Sequence, residues 1–163
     1  MSDPIWVLHD KESKLIEEEL AKLASLANAK ITFLIDKDGN LIASAGDSRH
    51  LDTTSLASLT AGNIAATGGI TKLLGEKEFS FLFHEGERDH IHLSVIAKRF
   101  ILGVIFDERS SLGLVRLRAR KSGEILTQVV ADMSDHFEKD KQNQVDRSPF
   151  AAITEADIDR LFG

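Results

Sequence analysis

A chain of 163 residues, 42% hydrophobic and 28% charged, has the balance of a soluble globular domain large enough to bury its own core. Its net charge of −6 and the lack of a basic stripe exclude a phosphate-backbone binder, whose affinity comes from clustered Lys and Arg. The absence of cysteine removes disulfide and thiol chemistry and, with no signal-peptide pattern, points to the cytoplasm; the apolar runs are too short to span a bilayer.

Lys11 to Ala27 places Leu15, Ile16, Leu20, Leu23 and Leu26 at helical spacing among Lys and Glu, and predicts an amphipathic helix ending near Asn28. Lys30–Ile35 and Leu41–Ala45 then flank Asp36-Lys37-Asp38-Gly39-Asn40. The Asp-Gly supplies the positive φ of a hairpin turn.

Thr53 to Gly75 reads as a helix, with Asp52, Thr53 or Thr54 as N-cap and Gly75 as its stop. Leu56, Leu59, Ala66, Ile70, Leu73 and Leu74 fall on one side, the stripe expected to face the core. The opposite side carries Ala57, Ser58, Ala61, Ala65, Gly68 and Gly69, ending at Lys72. A solvated face is ordinarily built of Glu, Lys and Gln, and each Gly costs about 1 kcal/mol relative to Ala. The small face is therefore expected in a close contact: inside the domain, with the same helix of a second subunit, or with a different partner.

Phe79–Phe83 and His90–Ala97 alternate at period two and read as strands joined by the polar turn Glu85–Asp89. Phe100–Phe106 is apolar throughout, as a central strand covered on both faces should be. Ser111 to Phe137 returns to helical spacing, with Gly123 as a weak point. The predicted order is α-β-β-α-β-β-β-α. Residues 1–138 form the domain, the polar Lys139–Ser148 with Pro149 a flexible linker, and residues 150–163 a tethered docking segment. In that segment Ile158, Leu161 and Phe162 share a face, with Phe150 and Ile153 before them; the alternative is a strap folding back on its own core.

No Gly-x-x-x-x-Gly-Lys-Ser/Thr is present, so the chain is not a P-loop GTPase. Gly68-Gly69 lies inside a helix and is no dinucleotide fingerprint. His84, His90 and His92 have a spacing able to ligate zinc, but no convincing fourth ligand accompanies them and exposed strand histidines are the stronger reading. Arg116, Arg118 and Arg120 read as a solvated helix face, with an arginine finger as the sharper alternative. No carboxylate stands in an apolar context suited to general acid work.

The stretches AKITFLIDKDGNLIASAG, DTTSLASLTAGNIAATGG, FHEG, FDERSSLGLVRLR and SPFAAITEADIDRLF, in this element order, resemble the roadblock/dynein light-chain superfamily and its bacterial MglB-type branch. The similarity runs from about Ala27 to the end, and the helix-two motif is its most specific part. The resemblance implies an α+β sandwich, roadblock/profilin-like, with a five-stranded antiparallel sheet and helices on both faces. It implies a homodimer whose central strands and second helices form a platform, with two subunits contacting one Ras-like small GTPase of MglA type in the polarity of motile cells, at a cell pole. It further implies a non-catalytic activator that remodels the GTPase switch region, donates no arginine finger and needs no cofactor or metal. The partner would meet Ala61, Ala65, Gly68, Gly69 and Lys72. Phe150, Ile153, Ile158, Leu161 and Phe162 would make a second contact that influences nucleotide exchange. A roadblock scaffold that recruits partners without altering any GTPase rate is the competing reading, and a small-molecule sensor on a profilin-like sheet a third.

Overall fold

The computed structural model describes residues 10–77, 79 and 81–147, with the side chains of the last helix described as far as Asp132. Phe150, Ile153, Ile158, Leu161 and Phe162 lie outside the described residues. The elements follow in the expected order: α1 (Asp10–Leu26), β1 (Ile31–Asp36), β2 (Leu41–Gly46), α2 (Thr53–Leu74), β3 (Phe81–Glu85), β4 (His90–Ile96), β5 (Phe100–Phe106) and α3 (Leu112–Arg147). β3 begins two residues later than the alternation suggests. Among the described residues no helix is long and apolar enough to cross a membrane.

The five strands form one antiparallel sheet in the order β2-β1-β5-β4-β3. The wholly apolar β5 is its middle, because only a strand covered on both faces can bury every side chain. Leu34, Phe100, Leu102, Val104 and Phe106 face α1 and α3, packing with Ile16, Leu20, Val115 and Leu126. Ile31, Phe33, Ile35, Leu93 and Ile101 form a second layer under α2, with Ala57 and Ala61.

Two local devices fix this frame. Asp36, itself buried, accepts from the N–H groups of Asp38 (3.0 Å) and Asn40 (2.9 Å) and from Asn40 Nδ2 (2.9 Å), closing the hairpin around Gly39, whose φ is +93°. In the β1–β5 ladder Phe33 pairs directly with Gly103. The Phe33 ring occupies the space a side chain at residue 103 would need: a Cβ there would stand 2.0 Å from Phe33 Cζ.

α3 differs from expectation. It does not end near Phe137 but continues to Arg147, through most of the stretch expected to be a linker. Lys, Gln, Glu and Arg are good helix formers whether or not they pack, and no Gly or Pro intervenes before Pro149. The polarity of 139–147 marks a helix without an apolar face, not a break in the helix.

Candidate functional surface on the second helix

α2 starts where its sequence says it should. The Asp52 carboxylate accepts from the Ser55 N–H at 3.0 Å and the Ser55 hydroxyl at 2.6 Å, and Gly75, at φ +72°, closes the other end with its N–H on the Lys72 carbonyl.

Its orientation is turned partway from the expected one. The buried positions are Ala57, Thr60, Ala61 and Thr71, whereas Leu59 is 73% exposed, Ile70 52% and Leu73 88%. Of the leucines and isoleucines of α2, Leu56 and Ile64 pack against the core layer. The reason is steric. A Cβ on Gly39 would come within 3.2 Å of Ser58 Cα and 3.7 Å of Ala61 Cβ, so the helix rests almost on the β1–β2 turn, and only small residues permit that approach. Thr67 and Thr71 fit on this inward side because their hydroxyls donate to the carbonyls of Asn63 (2.9 Å) and Thr67 (2.8 Å).

The expected partner residues are thus divided. Ala61 is buried beneath the helix; Ala65, Gly68, Gly69 and Lys72 are exposed. Ala65 and Gly68 form one wall of an apolar groove of about 170 Å³, opposite Phe81, Leu82 and Val95, with Ala61 among its lining residues. A Cβ on Gly68 or Gly69 would meet nothing within 4 Å, so those glycines are not required by packing inside the monomer. Leu59, Ile70, Leu73 and Leu74, expected to be anchors, form instead an outward, exposed apolar stripe. The sequence carries one signal for it: Lys72 is the sole charged residue from Thr53 to Leu74, and a helix lacking a solvated face is one that is covered on both sides.

The histidines do not converge. His84 pairs with Ile91 and faces α2, where the Asn63 side-chain amide meets its Nε2 at 2.8 Å; His90 and His92 alternate to the other face. The three therefore cannot share one zinc ion. Nor is His92 an exposed strand histidine. It is 2% exposed, stacked on the Phe81 ring at 5.1 Å, with the Arg116 guanidinium 4.5 Å over that ring. Arg116 thus lies against the sheet, on the face opposite α2, rather than being fully solvated.

Residues 15–106 match the family described as the Roadblock/LC7 domain. The chain belongs to the Roadblock/LC7 family. Among solved structures it is similar to Myxococcus xanthus MglB, with 50% identity and a TM-score of 0.74 over 78% of this chain and 96% of that one. It is also similar to the gliding protein MglB from Thermus thermophilus (30% identity, TM-score 0.75, 80% and 99% covered) and to an MglB described as having a tetrameric arrangement (29% identity, TM-score 0.76, 81% and 99% covered). No curated protein sequence matches. These likenesses make the chain a Roadblock/LC7 protein of MglB type.

Within this Roadblock/LC7 domain, burial first and then the neighbouring Arg116 guanidinium push the His92 imidazole down from 6.5 to about 4. The unfolded chain takes up that proton near the ordinary histidine value, the folded chain only near 4, so acid favours unfolding. The stability this neutral imidazole contributes is present above the unfolded value and is lost as pH falls through the window between the two. From about pH 7 to about pH 5 the loss is about 2 kcal/mol. His92→Phe, which keeps a ring on Phe81, is expected to remove that part of the pH dependence, measured as the difference between urea midpoints at the two pH values.

Proposed function

We propose that this protein is a homodimeric regulator of a Ras-like small GTPase of MglA type, acting in the polarity of motile cells. The observation that carries the proposal is the outward face of α2: Leu59, Ile70 and Leu73 form an exposed apolar stripe, and Ala65, Gly68 and Gly69 of the same helix are exposed as well. An uncovered stripe of this kind marks a protein–protein contact. The likeness to proteins named MglB, 50% identical in one case, supports the GTPase as partner.

In this reading two α2 stripes and two β3 edges meet across a two-fold axis. Ala65, Gly68, Gly69 and Lys72 of both subunits then form one platform for a single GTPase. Ala61, buried against the sheet, sets the height of the helix and reaches the partner only at the floor of the groove. The platform supplies shape rather than an acid, base or nucleophile, and accelerates hydrolysis by holding the switch region where the GTPase's own residues are aligned. Arg116 and Arg120, on the far face of the sheet, are not donated. Phe150, Ile153, Ile158, Leu161 and Phe162 make the second contact from a tether that keeps them near the millimolar range. Deleting Pro149–Gly163 is expected to weaken binding or change nucleotide release, read with a fluorescent nucleotide, while leaving the dimer intact.

The test is GTP turnover by the Ras-like protein encoded beside this one, with and without it. Turnover rises with the wild type, and Gly69→Arg abolishes at least about tenfold of the rise, since a bulky cation cannot be desolvated where two backbones nearly touch. Because nothing lies within 4 Å of a Cβ at Gly69, that variant keeps its fold. Normal stimulation by Gly69→Arg would place the GTPase elsewhere; binding with unchanged turnover would make the protein a scaffold.

A further inference from the structure

On the face opposite α2, β3 and β4 together with α3 line a cleft of about 530 Å³. Its floor holds two polar side chains that none of the described residues satisfies. Both ring nitrogens of the buried His92 lack a hydrogen-bond partner, and so does the buried hydroxyl oxygen of Ser94, two residues along the same strand face. Groups so placed are normally paired, and unpaired ones that share a cleft indicate where an outside group is received. Arg116 and Arg120, one turn apart on α3, stand at the walls with Glu124, while Thr127 has already donated its hydroxyl to the Gly123 carbonyl.

We infer that this cleft is a binding site for a carboxylate carried on an apolar stem. The stereochemistry of the donors matches that group. The Ser94 O–H and the single N–H of a neutral His92 offer two hydrogen bonds to two carboxylate oxygens, and the guanidinium of Arg116 or Arg120 adds the charge-assisted contact. Two arginines and one glutamate give the lining a net charge of +1, which suits a monoanion and not a phosphate dianion. Phe81, Ile96 and Ala119 supply an apolar wall for the stem. The depressed pKa of His92 keeps the imidazole neutral at pH 7, so that one nitrogen donates and the desolvated ring carries no charge of its own before the ligand arrives.

Two sources present this chemistry: a free small carboxylic acid, and an Asp or Glu side chain of a protein partner flanked by an apolar residue. The experiment uses the full chain, without any GTPase, at about pH 7. Long-range proton–nitrogen correlation spectra follow the His92 ring nitrogens, assigned by His92→Phe, during titration with phenylacetate. A saturable shift with a dissociation constant around the millimolar range is expected for so small a ligand. Ser94→Ala and the exposed Arg116→Ala each weaken it about tenfold. Phenylethanol and inorganic phosphate produce no saturable shift. A terminally blocked dipeptide of phenylalanine and glutamate forms the second arm: tighter binding than phenylacetate assigns the site to a protein side chain, and weaker binding assigns it to a free acid. The inference is overturned if phenylacetate and dipeptide both leave the ring nitrogens unmoved, which would make the cleft a water-filled one. It is equally overturned if phosphate or phenylethanol binds as well, or if both substitutions leave the affinity unchanged while the variants remain folded. Because the cleft and α2 lie on opposite faces of the sheet, the outcome is independent of the GTPase proposal.

Discussion

Gly103→Val is expected to lower the stability of the domain by about 3–5 kcal/mol, a large share of what a protein of this kind possesses. A Cβ at residue 103 would stand 2.0, 2.3 and 2.4 Å from three atoms of the Phe33 ring. The ring has no way out: Phe33 is fully buried, in a layer with Ile35, Leu93, Ile101, Ala57 and Ala61. To admit valine, the central β1–β5 ladder must part or the phenyl group must leave the core. The check is the urea midpoint of the variant, and the pairing is tested by adding Phe33→Leu to the milder Gly103→Ala. In contact, the two changes should be non-additive, the double variant losing less than the sum of the singles. Additive losses, or a midpoint unmoved by valine, would show that the ring does not depend on the glycine. The same layer carries α2 at Ala57 and Ala61, so this pair also sets the seating of the helix proposed to meet a partner.

Much of that frame is legible in the sequence where a local rule has one solution. The unbroken apolar run Phe100–Phe106 admits no place but the centre of the sheet. Asp38-Gly39 specifies a turn, and Gly75 with a capping residue among Asp52, Thr53 and Thr54 specifies the ends of α2, because each meets a backbone requirement that few residues meet. Other features depend on what lies across a gap. The periodicity of α2 separates a large apolar side from a small one, but periodicity does not say which side the sheet takes. Hydrophobicity favours the leucines; the closeness of the β1–β2 turn to Ser58 and Ala61 demands the small residues, and sterics prevails. In β4 the alternation of His90, His92 and Ser94 with Ile91, Leu93 and Val95 suggests a polar face in water. In the folded protein that face lies under α3, where an arginine stands over the neighbouring Phe81 ring. Strand patterning reports polarity, and a helix distant in sequence decides burial. The extension of α3 to Arg147 escapes periodicity for a simpler reason: a polar helix leaves no apolar stripe to read.

The exposure of Ile70 and Leu73 leads to the second large effect. Ile70→Glu combined with Leu73→Glu is expected to dissolve the proposed dimer while leaving the monomer folded. Were these residues the helix's anchors, the double change would bury two carboxylates and unfold the domain. They are instead 52% and 88% exposed, so in the monomer the glutamates enter water and the midpoint of unfolding should scarcely move. In a two-fold seam each substitution acts twice, removing four apolar side chains and gathering four negative charges. With each side chain contributing about 1.5–3 kcal/mol when fully buried, even partial burial makes the dissociation constant at least about a thousandfold weaker. Sedimentation equilibrium reads the mass, and urea unfolding of the monomeric variant reads the fold. Leu56→Glu is the control with the opposite signature, because Leu56 packs on the core layer and its replacement should destabilise the monomer itself. Gly69→Arg separates the remaining pair of effects: it should keep the dimer and lose the GTPase, whereas the double glutamate variant loses both. A double glutamate variant that stays dimeric but no longer stimulates turnover would assign the stripe to the GTPase and move the subunit seam to β3. One that unfolds as a monomer would return Ile70 and Leu73 to the core.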